Sequence, residues 1–537
     1  MKRNTLTTAV LAGLTGMAGM VSVSNAVNVN PDGLGQVLLY PYYTARGGND
    51  TLISIVNTTE RGKAVKVRFI EGLNSREVLD FNLYMSPFDV WTAAVTADEG
   101  GGAKMVTTDT TCTVPYFVGA GEGVGEQEFL DFEYTGFTTN FDAGPQGIER
   151  TASGYIEIIE MGTMQPHSAS YDPNEDGLQP QIVEWASKHV GGVPRACSIL
   201  ERMWTQGDPV GNATWLNNAN FGLDTEQGAS GGLFGSGSII NVAEGTMFSY
   251  NATAIDGFWA QGDGEHTNPG SVLPGLNSGT NNESIVFNQG ALEIDQWDAQ
   301  TPVLALNAAL TYDQLMNEYI TSADINARTE WVMTLPTKRF HTDALGKGFA
   351  TPGNPVPPFT RTWYYDVLDG EIDRRFFACE DMSISFWDRE EQQPTPGTDG
   401  PIVSPPPPPE TPDLFQLCRE ANVVRFSSNG DVPDATEILG EPLRDAPFSS
   451  LSYTNFELPY DSGWAMFNLG TLPANSTVAV DERRSVPSEN GRQVLGLPVV
   501  GFGVTTYTNG ATAGGVLANY GGTFQHRGTR VFESAAD

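Results

Sequence analysis

Between Asp172 and Gly177 the chain reads Asp-Pro-Asn-Glu-Asp-Gly, placing hard oxygen donors at alternate positions and a glycine where a loop must turn sharply. This is the first half of a calcium loop, with Asp172, Asn174 and Asp176 as its ligands. The second half departs from that pattern, because the position of the bidentate acid falls on Val183 and Glu184 stands one residue late. An ordinary turn rich in Asp, Asn and Gly is the competing reading, and calcium is the only cofactor the residues suggest.

Other motifs carry less. Gly228-Ala-Ser230-Gly-Gly232 fits the G-x-S-x-G nucleophile elbow, yet residues 223–227 are no strand pattern and Gly-rich sequence follows where a helix is needed. In a chain with 60 glycines such matches arise by accident. His167, His189, His266, His341 and His526 are the only histidines, and none has the His-x-x-x-His spacing of a hydrolytic metal site. Glu380-Asp381, or Asp388 with Glu390, would suit a glycosidase, which sets two acids about 5 to 10 Å apart across a cleft. With 65 acidic residues present, spacing alone singles out no pair. Trp204, Trp215, Trp259 and Trp297 lie in a loop-rich middle region, where an exposed indole would stack on a sugar ring. Trp259, close to Asp256, Asp263 and Glu265, is the most suggestive ligand-binding group, although a buried tryptophan is the default.

The elements that would position these residues begin with a leader. Lys2 and Arg3 precede an apolar stretch to about Val23, and Ser24-Asn25-Ala26 has the small residues that suit signal peptidase, so cleavage is expected after Ala26. Thr, Gly and Ser dilute the stretch, which argues against a membrane anchor. Val27 stands where a lipoprotein requires Cys. The expected location is therefore outside the cytoplasm: secreted, periplasmic or at the cell surface.

Loss of Lys2 and Arg3 with the leader would lower the net charge from −36 by two units. No basic run exists to release counterions from phosphates, so nucleic acid is excluded as a partner. A cell-surface partner, a polysaccharide or a second copy of the chain remain. Charged residues make up only 18% of the chain, below the usual quarter, which favours turns and strands over salt-bridged helices. An exported chain allows its four cysteines to pair. Of the three pairings, the sequential one is preferred: Cys112 with Cys197, and Cys379 with Cys418.

The expected fold is mainly β, with two or three antiparallel β-sandwich domains and a few inserted helices. Val65-Lys66-Val67-Arg68-Phe69 alternates apolar and charged residues, as do Leu79, Phe81, Leu83 and Met85 with their neighbours, which predicts half-buried strands. Turn signals recur about every ten residues. The segment TLISIVNTT followed by KAVKVRF resembles the second and third strands of secreted immunoglobulin-like modules, a likeness covering roughly residues 33–165 but lacking the Cys and Trp of antibody domains. The longer stretch GLGQVLLYPYYTARGGNDTLISIVNTT is similar to an uncharacterised bacterial cell-surface family, which implies a location but no activity.

Domains are expected at residues 27–165, an immunoglobulin-like sandwich; 166–335, a β domain with helical insertions and Gly/Asn-rich loops; and 336–537, a C-terminal β domain. Helical spacing recurs at Ile182, Trp185, Ala186 and Val190, and again at Ile199, Leu200, Met203 and Trp204. A third set is Tyr312, Leu315, Met316, Tyr319 and Ile320, with Thr311 and Gln314 as a capping box. These helices are expected to lie over sheet edges. Residues 392–412 are Pro-rich and suit a projecting loop between Cys379 and Cys418, or a spacer. The C-terminal stretch has too few alternating segments for an outer-membrane barrel. The function expected is a non-catalytic structural or adhesive protein of the cell surface or secreted fraction. The alternative is a secreted hydrolase or binding protein acting on carbohydrate.

Overall fold

Val37–Thr44, VLLYPYYT, carries bulky side chains on both faces, and in the computed structural model of the chain every one of its residues is buried. The strand lies between two layers: Leu38, Tyr40 and Tyr42 enter one core, Val37 and Leu39 another. The structure describes residues 26–534 apart from 119–122, 137–141, 143, 206–213, 289, 346–347, 369–370, 376–377, 394–401, 404–414, 429–432, 444–454, 458–459, 474–475, 477–483 and 510–517. The leader before Ala26 and most of the Pro-rich stretch thus lie outside the described residues.

Ser153–Thr163 and Thr253–Asp256 flank this strand in a seven-stranded sheet, which Asn28–Val29, Lys63–Glu71, Glu77–Met85 and Cys112–Val114 complete. Pro41 has no N–H to offer a neighbour, and the register with Ser153–Thr163 slips between Gly154 and Ile156, beside it. A Cβ on Gly154 would overlap the Ile70 carbonyl oxygen, so only glycine fits there. A six-stranded sheet faces this one, in the order Thr246–Asn251, Leu233–Asn241, Asn49–Asn57, Val90–Ala97, Ala103–Thr107 and Gly125–Glu128. Ile53, Ile55, Trp91 and Met105 from it meet Val65, Val67, Phe81 and Ile158 in one core.

This unit is larger than the 27–165 domain read from sequence. Residues 233–256 supply three of its strands, so the boundary expected at 165/166 runs through the sheets. An immunoglobulin constant-type domain pairs four strands with three; here seven face six.

Lys63–Glu71 is buried along its whole length, not half-buried as its alternation predicts. Val65, Val67 and Phe69 fill the core, while the charged row on the other face is enclosed and paired. Lys66 lies 3.0 Å from Asp80, and Arg68 lies 2.6 Å from both Glu77 and Glu157. Nearby, Arg150 meets Glu71 and Asp142 at 2.8 Å with all three side chains fully enclosed. Breaking such a pair leaves an uncompensated charge in low dielectric, so these contacts fix the fold more than they stabilise it.

A second pair of sheets follows. The five-stranded one runs Phe415–Leu417, Glu380–Asp388, Ser462–Asn468, Gln314–Ile320, Arg527–Thr529. The six-stranded one includes Ala421–Ser427, Arg328–Thr334, Val500–Asn509 and Ala518–Gln525. Trp331, Phe386, Phe426 and Phe467 pack between them. The far side of the six-stranded sheet contributes Val332, Val423, Phe502 and Val504 to the same core as Tyr42 and Tyr250, and the Tyr250 and Phe502 rings stack at 4.7 Å. The two units therefore share packed interior.

Two of the three expected helices form, Ile182–Ser187 and Cys197–Met203, the first stopping short of Val190, which lies exposed in the strand His189–Val190, and they cover the end of the seven-stranded sheet through Leu200, Met203, Ala64 and Tyr84. The third does not. Residues 314–320 are a strand held between Ser462–Asn468 and Arg527–Thr529, with Leu315 and Tyr319 facing the core. The helix in this region lies just upstream at Val303–Leu310, with all its residues buried.

Both expected cysteine pairs are joined, with Cα atoms 5.1 Å apart for Cys112–Cys197 and 3.8 Å for Cys379–Cys418. The first ties the helix Cys197–Met203 to the edge strand Cys112–Val114, across the expected domain boundary. Among the described residues no helix is long and apolar enough to cross a membrane.

Candidate functional site

Side chains alternate across a strand, so the core positions Phe386, Ala465 and Phe467 send Trp387, Trp464 and Met466 to the outer face of the five-stranded sheet. Trp387 pairs directly with Trp464, and the two indoles stack with centroids 4.0 Å apart and planes 8° from parallel. Trp464 is 37% exposed, an unusual state for so large an apolar ring. On its other side it pairs with Glu318, and the next row across the sheet is Arg527, Met316, Met466, Ser385.

Phe524, 43% exposed, stands beside this face where the chain passes from the six-stranded to the five-stranded sheet. Trp464, Phe524 and Glu318 separate two open troughs. One, of about 520 Å³, is lined by Met316 and Arg527 as well; the other, of about 540 Å³, adds Asp388, Arg389 and Tyr507. Asp388 accepts the Glu390 and Gln392 amides at 2.8 and 2.7 Å, which fixes the turn carrying Arg389. The Tyr319 hydroxyl donates to the Trp387 carbonyl at 3.2 Å and holds that strand from below. Each indole covers one face of the other, so the aromatic surface open to a ligand is the outer part of Trp464 with Phe524, and the carboxylate and guanidinium groups around it can bond hydroxyls at the rim.

The residues singled out from sequence are placed elsewhere. Trp259 is 3% exposed, with its indole N–H on the Glu160 carbonyl at 2.7 Å, so it is core and offers no stacking face. Asp256 is half-buried, and burial raises its carboxyl pKa. Asp263 accepts from Thr280 at 2.6 Å, and Glu265 is half-buried in the same loop. Trp215 and Trp297 are fully enclosed, and Trp204 tilts against Trp215 and His266.

Asp172 caps the short helix Pro173–Asp176, accepting the Asn174 amide at 2.9 Å and its side-chain N–H at 3.0 Å, while Asp176 accepts the Asp172 amide. The alternate donors are thus engaged by their own turn. Among the described residues no group of three or more His, Cys, Asp or Glu is arranged to hold a metal ion.

Ser230 is exposed, but its hydroxyl meets Lys63 and Thr163, and Lys63 is ion-paired to Glu160 at 2.8 Å. The Ser230 and Gly231 amides, which an oxyanion hole would need, donate to Glu160 instead. Glu380 and Asp381 are buried structural acids: Glu380 takes Thr360 and Arg484, and Asp381 takes Arg361, Gln416 and Ser476.

Sequence reasoning missed Trp387 and Trp464, though a signal exists. Each stands one position out of step with its strand's apolar alternation, which puts a tryptophan on the face that ought to be polar. Compared with known protein families, curated proteins and solved structures, the chain matches none.

Proposed function

We propose that this is an exported, non-catalytic binding protein of the cell surface or surrounding medium, structural or adhesive in role, whose ligand face is the Trp387–Trp464 platform. The observation that carries the reading is Trp464, 37% exposed, stacked on Trp387 and lining with Phe524 both open troughs of the sheet face. Leaving large apolar rings in water costs free energy in the unbound state, and a sugar ring laid on them recovers it. The leader and the two disulfides fit an oxidising exterior. An open trough accepts a chain at any point along its length, as an adhesin for polysaccharide requires. Calcium is not part of the proposal, since among the described residues no group of three or more His, Cys, Asp or Glu converges as a metal site.

The hydrolase alternative draws on one observation, that Glu318 and Asp388 line the same trough. Incubation with insoluble cellulose, chitin and peptidoglycan, followed by pelleting and assay of reducing ends, separates the two. Retention on at least one polymer without release of reducing sugar is expected. Sugar release that Glu318→Gln abolishes would move the assignment to a hydrolase.

A further inference from the structure

Over the middle of its strands the outer face of the N-terminal six-stranded sheet is neutral, with its charges, Asp50, Lys104, Glu126 and Glu128, gathered at one end row and one edge strand. One row across it reads Ser249, Ser238, Leu52, Ala94, Val106, and the next Asn251, Ser236, Ser54, Thr92. A third row is Phe234, Val56, Val90. Across the five strands that carry these rows the charged side chains are Asp50 and Lys104, in a single end row, while the sixth strand, Gly125–Glu128, edges the face with Glu126 beside Val106 and Glu128 beside Lys104, Lys104 lying 2.7 Å from Glu126. This is conspicuous in a chain with 65 acids against 29 bases.

The same face carries small side chains around a shallow open depression of about 430 Å³ lined by Leu52, Ser54, Ala94, Val106, Ser236 and Ser238, and its hydroxyls already serve one another. Ser54 bonds Ser236 at 3.2 Å and Ser238 bonds Ser249 at 2.9 Å, so covering them strands few polar groups. Leu52, Val90, Phe234 and Met247 are 41 to 57% exposed around this hydroxyl centre and give apolar area to bury. The three rows hold twelve residues, which at about 4.8 Å between strands and about 6.6 Å between same-face neighbours make a footprint of roughly 380 Å² per copy, hence about 760 Å² for a pair, the size of a weak, reversible contact.

We propose that this face is the contact between two copies of the chain, sheet against sheet. Charge decides the occupant. Two bodies this acidic repel wherever acids face acids, and the neutral middle of this face lets two copies approach about 10 Å between sheets with acids only at its end row and edge strand. The contact is independent of the aromatic platform, which lies on a different sheet and stays open in the pair.

Sedimentation velocity across a concentration series tests it, at low salt and at about 0.5 M NaCl, where screening suppresses the residual repulsion between bodies. A monomer–dimer equilibrium that tightens with salt is expected. Ser54→Glu and Ala94→Lys, each placing a charge at the centre of the face, are expected to weaken it at least tenfold with unchanged circular dichroism and melting temperature. Two substitutions of opposite sign guard against one failing to fold. A monomer at every concentration and both salts, or a dimer indifferent to both substitutions, overturns the proposal.

Discussion

Buried ionisable groups give the chain a pH signature that single residues control. Burial lifts the Glu330 carboxyl to about 7 and that of Glu420 to about 8, and pushes His266, His341 and His526 down to about 4. A carboxyl whose folded pKa is raised contributes stability that is complete below about 4.5 and is lost as pH rises through the folded value. The three histidines act oppositely: their folded pKa is depressed, so stability rises with pH between about 4 and 6.5 as the unfolded chain gives up protons. Thermal stability is therefore expected to peak near pH 6 to 6.5 and to fall toward pH 8.5. Melting scans of Glu420→Gln, which fixes the neutral form, should flatten the alkaline fall, steepen the rise between about pH 4.5 and 6.5, and leave the slope below about 4.5 unchanged. An unaltered alkaline slope would show that Glu420 is ionised in the folded chain. Arg150→Ala is a different case, because Glu71 and Asp142 would remain enclosed without their partner; a loss of roughly 3 to 5 kcal/mol in denaturant unfolding is expected. Less than about 1 kcal/mol would mean water reaches the site.

Among the elements, the ones easiest to read from sequence were those with one buried face and a matching period. Ile182–Ser187 and Cys197–Met203 carry an apolar stripe and form as expected. Residues 312–320 also show helical spacing, but strands on both sides claim their backbone, and tertiary pairing overrides a local period. Val303–Leu310 left no stripe to find, since a helix buried all round has no polar face. Its centre is tightly enclosed, so Leu306→Ala is expected to cost roughly 2 to 5 kcal/mol, as cavity formation does elsewhere; a change under 1 kcal/mol would place that helix outside the core. The charged row of Lys63–Glu71 misled for a related reason: a sheet covered on both faces can hide charges if each finds a partner, and the partners Glu77, Glu157 and Asp80 stand in other strands. The Trp387–Trp464 pair needed strand pairing to become visible, because neither residue marks a site until the two strands are laid side by side.

For the whole molecule, shared packing matters more than the domain count expected from length. Tyr42 and Tyr250 pack with Val332 and Phe502 from the second pair of sheets, so neither unit closes its core alone. Calorimetric unfolding is expected to show one cooperative transition, and two well-separated transitions would contradict a common core. The acidic surface, the neutral sheet face and the aromatic platform are separate features of this molecule. Ligand binding at the platform is the central claim, and calorimetric titration of the purified protein with a soluble oligosaccharide of the polymer that retains it, beside Trp464→Ala, tests it most directly. Since Trp464 is partly exposed on a sheet already completed by its neighbours, the variant should fold normally, lose at least tenfold in affinity and leave self-association untouched. Equal affinity in the wild type and the variant, or no heat from any glycan that the wild type retains, would contradict it.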